Sequence, residues 1–167
     1  MDRQQLRDLQ APLKERYRAE PAAAAVTLTA DGSLGEGITC SVETGRALAA
    51  AGLHPATGGD GTALCSGDML LEALAACAGV TLRSVATSME LEVAGGVHVE
   101  GDLDFRGTLG VDKGAPVGFQ RIRVRFDLVS DAAQEQLDRL IELTMRYCVV
   151  FQTLARTPDL SVALHRD

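Results

Sequence analysis

Residues 66–88, SGDMLLEALAACAGVTLRSVATS, read as one helix with an almost wholly apolar middle and a single thiol, Cys77, at its centre. Leu70, Ala73, Leu74, Cys77, Val80 and Thr81 recur at the three- and four-residue spacing of one helix face. Leu71, Ala75, Ala78 and Leu82 fill the other side, which predicts a helix surrounded by protein. The uninterrupted apolar run from Ala73 to Leu82 is too short to span a bilayer, and Asp68, Glu72 and Arg83 flank it. A chain built around such a segment needs other elements to wrap it, and the chemistry available to it turns on Cys77.

A length of 167 residues suits one domain with a sizeable core. Aromatic residues make up only 4% and Trp is absent, so Ala, Leu and Val must build that core. A formal net charge of −7 argues against nucleic acid or an anionic membrane as the main partner. The N-terminal MDRQQLRDLQAPLKERYRAE has no apolar signal region, so the expected location is the cytoplasm. Four cysteines in such a chain are free, metal-bound or redox-active there, and not a disulfide scaffold.

Residues 1–23 are expected to form a helical arm, with Leu6, Leu9, Leu13 and Tyr17 on one stripe and a break near Pro12. Such an arm can pack on another subunit or on its own domain, which spans 24–167. From Ala24 to Val42 the period becomes two. Val26, Leu28 and Ala30 precede Asp31-Gly32, a hairpin-turn dipeptide, and Ile38, Cys40 and Val42 share a face of the returning strand. Residues 44–65 read as a long Gly-rich connection whose GGDG makes turns and not a phosphate cradle. Two half-buried strands follow, one through Val97, Val99, Leu103, Phe105 and Leu109, the other through Ile122, Val124, Phe126 and Leu128. Asp131 and Gln134 fit a capping box for a second helix that keeps phase from Leu137 through Cys148 to Ala155. Leu160, Val162 and Leu164 alternate as a closing strand. The predicted class is α+β: antiparallel strands, a long buried central helix and a second helix.

No CxxC occurs, and His54, His98 and His165 stand at no ligand spacing from any cysteine, so neither metal nor other cofactor is expected. Cys40 reads as a small buried hydrophobe and Cys65 as an ordinary loop thiol. Cys77 and Cys148 both lie on apolar stripes, where a thiol serves as packing or as a reactive group; facing helices would bring the two sulfurs together.

SGDMLLEALAACAGVTL resembles the OsmC/Ohr (osmotically induced and organic hydroperoxide resistance) family, whose central helix opens Pro-Glu-Glu-Leu-Leu and continues Ala-Leu-Ala-x-Cys. A second family cysteine lies on a later helix, at a separation that Cys77 and Cys148 reproduce, and the order of elements also fits across roughly residues 24–165. The resemblance implies an intertwined homodimer with active sites at the subunit interface and thiol-dependent reduction of organic hydroperoxides. Carried over by motif, Cys77 is the peroxidatic nucleophile and Cys148 the resolving thiol, reset by a dithiol reductant of lipoyl type. Burial alone would raise the pKa of Cys77, so a cation or donor is needed beside it. The family uses an Arg held by a Glu just before the central helix. Arg46 is the best-placed candidate here, its competing reading being a solvent-exposed arginine, and Asp68 stands in for the acid or complements the helix dipole, with Glu72 the alternative. Two departures stand out: Ser66-Gly67-Asp68 replaces Pro-Glu-Glu, and Val149 follows Cys148 where Cys-Pro is common. A rival expectation is a dimeric protein of the same fold that binds an apolar ligand with inert thiols.

Overall fold

The computed structural model describes residues 2–5, 7–8, 10–11, 19, 31–34, 39–43, 48–110 and 112–166. Four strands, β1 (Asp31–Leu34), β2 (Thr39–Glu43), β3 (Leu48–Gly52) and β4 (Leu64–Cys65), make one sheet in that order. β1, β2 and β3 are antiparallel and β4 runs parallel to β3. The hairpin exists, but Asp31-Gly32 is not its turn. Gly32 pairs with Val42 inside the ladder and the connection follows Leu34, beyond the final rung Leu34–Cys40. The strand positions Val26 to Ala30, and Ile38, lie outside the described residues. The expected unbroken connection over 44–65 is also corrected, because LAAAG pairs as β3. Its alanines carry no strand preference of their own, so β2 imposes the extended form. The turns expected around GGDG are present: Gly58 and Gly61 adopt φ of 96° and 78°, open to glycine at little steric cost.

Helix α1 (Ser66–Met89) follows β4 directly. Its buried stripe is Leu74, Ala78, Leu82 and Ala86, at four-residue spacing. The expectation of a helix enclosed on all sides fails within the single chain: Leu70 is exposed, and Val80 is 72% exposed. By length and composition α1 could cross a bilayer; in the fold it packs against β5 and the later helices. Glu90 takes a left-handed φ of 57° to end it, and Leu91 N–H returns to Ala86 O at 3.0 Å, satisfying a terminal carbonyl. Near that end Arg3 pairs with Glu90.

β5 (Ala94–Asp102) and β6 (Arg121–Val129) form an antiparallel pair whose inward side carries Val97, Val99, Ile122, Val124 and Phe126 against α1. Outward, Arg123 bridges Glu100 and Asp102 across the strands. β5 stops before the predicted Phe105. Asp104 instead accepts from Arg106 N–H and caps a short helix, α2 (Phe105–Thr108).

The second helix begins at Gln134, not under an Asp131 cap: Gln136 Oε1 accepts from Ala133 N–H at 3.1 Å. It is also two helices, α3 (Gln134–Tyr147) and α4 (Val149–Ala155), broken at Cys148, whose φ −72° and ψ 107° are extended. Consecutive β-branched Val149 and Val150 weaken helix continuity there, and Gln152 Nε2 donates to Met145 O at 2.9 Å across the break. Leu82, Ala86, Val93 and Leu140 make one buried cluster; Leu74, Ala78 and Cys148 make the other. The expected closing strand is not formed: residues 157–166 have no regular structure, and Leu160, Val162 and Leu164 are exposed. Alternation alone does not make a strand without a paired neighbour to take its hydrogen bonds.

Candidate active site

The break in α3–α4 and the middle of α1 meet at two thiols. Cys148 is completely buried, packed with Leu74 and Ala78, and Cys77 sits half-buried against the same group together with Val150 and Phe151. Cys148 can reach inward because its extended backbone turns the chain between two helices, while Cys148 N–H still donates to Thr144 O at 2.9 Å. On the other side, Thr81, one turn after Cys77, donates its hydroxyl to Cys77 O at 2.7 Å. Both cysteines are free thiols, as is Cys65 at the start of α1.

The two thiols are pushed in opposite directions. Burial raises Cys77, but hydrogen bonds from Val150 N–H, the Cys148 thiol, Val149 N–H and the Thr81 hydroxyl outweigh it, and the net shift is below the ordinary thiol value. For Cys148 burial also acts upward; Phe151 N–H and Val150 N–H oppose it, while the hydrogen bond to Cys77 and that sulfur's negative charge add to it, so the net shift is upward. This pair therefore ionises first at Cys77, with Cys148 holding its proton. Among the described residues the groups that stabilise the Cys77 anion are main-chain amides, a hydroxyl and a thiol, with no guanidinium.

The structure brings together Cys77 and Cys148 and does not bring Asp68 to them. Asp68 is exposed in the first turn of α1. At 1.5 Å and 100° per residue it lies about 13 Å along the axis and half a turn round from Cys77. Arg46, and the side chain of Cys40, lie outside the described residues. Sequence reasoning placed Thr81 on the face of Cys77 but assigned it no part. It missed the two amides altogether, because nothing in a continuous helical period announces a break at Cys148.

β6, α3 and α4 line an open, mostly apolar groove of about 520 Å³ whose walls include Leu74, Val124, Phe126, Met145 and Phe151, with Arg121 at its polar part; neither cysteine lines it. Four of these walls also pack against the buried cluster of Leu74, Ala78 and Cys148, of which Leu74 is itself a member.

This combination, a cysteine in a central helix facing a second cysteine at a helix break in an α+β fold, defines a class of dithiol protein. The family model described as OsmC-like protein matches residues 59–163, well over half of the chain, and the protein belongs to that family. No curated protein matches its sequence. Among solved structures, the OsmC-like protein of Mycoplasma pneumoniae aligns with TM-score 0.66 and 16% identity, covering 79% of this chain and 89% of that one. An organic hydroperoxide resistance protein OsmC from Legionella pneumophila gives 0.55 and 18%, covering 78% and 90%. The organic hydroperoxide resistance protein OhrB of Bacillus subtilis gives 0.50 and 18%, covering 79% and 93%. At such identities the likeness is one of fold.

Proposed function

We propose that this protein is a thiol-dependent peroxidase that reduces organic hydroperoxides, with Cys77 as the peroxidatic nucleophile and Cys148 as the resolving thiol. The observation that carries the reading is the pairing itself: two thiols in one packing cluster, with the half-buried Cys77 shifted toward ionisation and the buried Cys148 shifted away from it. In the reaction, Cys77 S⁻ attacks the terminal oxygen of ROOH and the O–O bond breaks. Cys77 becomes a sulfenic acid, and the departing alkoxide takes a proton from water to leave as ROH. Oxidation removes the negative charge that helps to hold the proton on Cys148. Cys148 then attacks the Cys77 sulfur, and hydroxide leaves with the Cys148 proton as water, closing a disulfide. An external dithiol of lipoyl type returns both sulfurs to thiols.

The apolar groove supports an organic substrate, because it accepts an alkyl group at little desolvation cost. The exposed face of α1 around Val80 supports assembly as a homodimer in which a second chain covers that face. Asp68 is proposed to act by holding Arg46, as the family resemblance implies, and not on the sulfur itself, given its separation from Cys77. The rival reading, an apolar ligand in the same groove with inert thiols, predicts that Cys77 labels slowly until the protein is denatured.

The direct test is turnover of cumene hydroperoxide with dihydrolipoamide as reductant. Repeated turnover that Cys77→Ser abolishes is expected. Peroxide that survives in the presence of the reduced wild-type protein would overturn the reading.

A further inference from the structure

α3 and α4 are one run of sequence divided at Cys148, and the division leaves a main-chain carbonyl to be satisfied. The main-chain bonds that cross it are Cys148 N–H to Thr144 O and Gln152 N–H to Cys148 O, each 2.9 Å. The bond from Val149 N–H to Met145 O that an unbroken helix would make is not among them. Met145 O accepts instead from Gln152 Nε2 at 2.9 Å, a part-buried bond between residues seven apart. A carbonyl shielded from water and left without a donor is costly, so this amide offsets much of the penalty for breaking the helix. Gln152 is therefore bonded on both sides of the break, by its main chain to Cys148 and by its side chain to Met145. Cys148 itself is completely buried in the cluster against which Cys77 packs.

We propose that Gln152 is a positioning residue for the thiol pair: its side-chain amide, bonded to Met145 O, holds the break at Cys148 in the reduced protein and so keeps that thiol in the cluster with Cys77. Without this donor the segment gains by closing into one helix, where Val149 N–H recovers Met145 O, and the backbone that carries Cys148 changes. The inference rests on the reading of Cys77 and Cys148 as a redox pair and adds what organises the pair in advance. A disulfide needs its two Cα atoms within about 7 Å, so a turn already held in place spares the ordering at the moment of closure.

The test compares Gln152→Met, which keeps an unbranched side chain without a donor, with Gln152→Lys, which keeps an N–H donor at similar reach. Each protein is equilibrated with mixtures of oxidised and reduced dithiothreitol. The two protein thiols become one disulfide as the cyclic disulfide of the reagent opens to a dithiol, and mass spectrometry counts the Cys77–Cys148 linkage. Gln152→Met should lower the equilibrium constant for closing that linkage by about five- to tenfold, the worth of one hydrogen bond, while Gln152→Lys stays near the wild type. A merely structural role would weaken the reduced and oxidised proteins alike and leave that constant unmoved. A folded Gln152→Met protein with the wild-type constant would therefore overturn the proposal, as would equal losses in both variants. Should Gln152→Met not fold, the wild-type protein answers by NMR: the Gln152 side-chain amide must be protected from exchange in the reduced state, and exchange as fast as in free glutamine contradicts the bond. The equilibration uses no peroxide. Variants that behave as expected beside a wild type that leaves hydroperoxide intact would sink the peroxidase reading alone.

Discussion

Cys77 and Cys148 share neighbours but are shifted in opposite directions, Cys77 downward by hydrogen bonds and Cys148 upward by burial, and the difference has a direct consequence for reactivity. The thiolate is the nucleophile, so the rate of alkylation at Cys77 must rise with pH and level off below the pH at which an ordinary thiol does, about 8.5. Cys148, shifted the other way, must lag behind it. Peptide-resolved labelling should show Cys77 modified first throughout the neutral range; simultaneous labelling would contradict the assigned order. Removing the second thiol separates its two parts. Cys148→Ser should still consume one equivalent of hydroperoxide per chain when given one, but form no intramolecular disulfide, leaving Cys77 as sulfenic acid by intact mass. The sequence could show which thiols stand on apolar stripes. It could not show which amides point at them, because main-chain donors leave no mark on residue type.

The elements that were legible are those whose side chains repeat a strong period against a core. α1 ends within a residue of its expected limits, and β6 keeps its alternation of arginine with Ile122, Val124, Phe126 and Leu128. Those that were not legible depend on partners distant in sequence. LAAAG is extended only because β2 lies beside it, and Leu160, Val162 and Leu164 alternate without a neighbour to pair with. The break at Cys148 is likewise a tertiary matter, since Leu140 and Thr144 on one side and Phe151 on the other still hold a plausible helical stripe. α3 is anchored by Leu140, fully buried against Leu82, Ala86 and Val93. Leu140→Ala should cost about 2–5 kcal/mol through lost burial and the cavity left behind, read as a lower urea midpoint at unchanged slope. A loss under about 0.5 kcal/mol, the range of surface substitutions, would mean this cluster does not carry the packing ascribed to it.

At the scale of the molecule, one chain leaves much apolar surface open: Val80 on α1, Val149 at the break, and Val162, wholly exposed, in the tail. Single exposed residues are ordinary, but a long helix buried along one stripe only is not what the core of a finished assembly looks like. The proposed homodimer would cover that face. Val80→Lys places a charge there and should convert a particle of twice the chain mass to one of single mass in light scattering, whereas a wild type already at single mass would remove the dimer from the account. Closure of α1 also bears on chemistry, because Cys77 lies on it only half-buried and a covering subunit would complete the walls around the sulfur. The central claim, that Cys77 and Cys148 act as one redox pair, is tested most directly by a disulfide map. Fully reduced protein is treated with one equivalent of organic hydroperoxide, alkylated and digested for mass spectrometry. The account predicts a dominant Cys77–Cys148 linkage with Cys40 and Cys65 alkylated; four alkylated thiols beside unconsumed peroxide would contradict it.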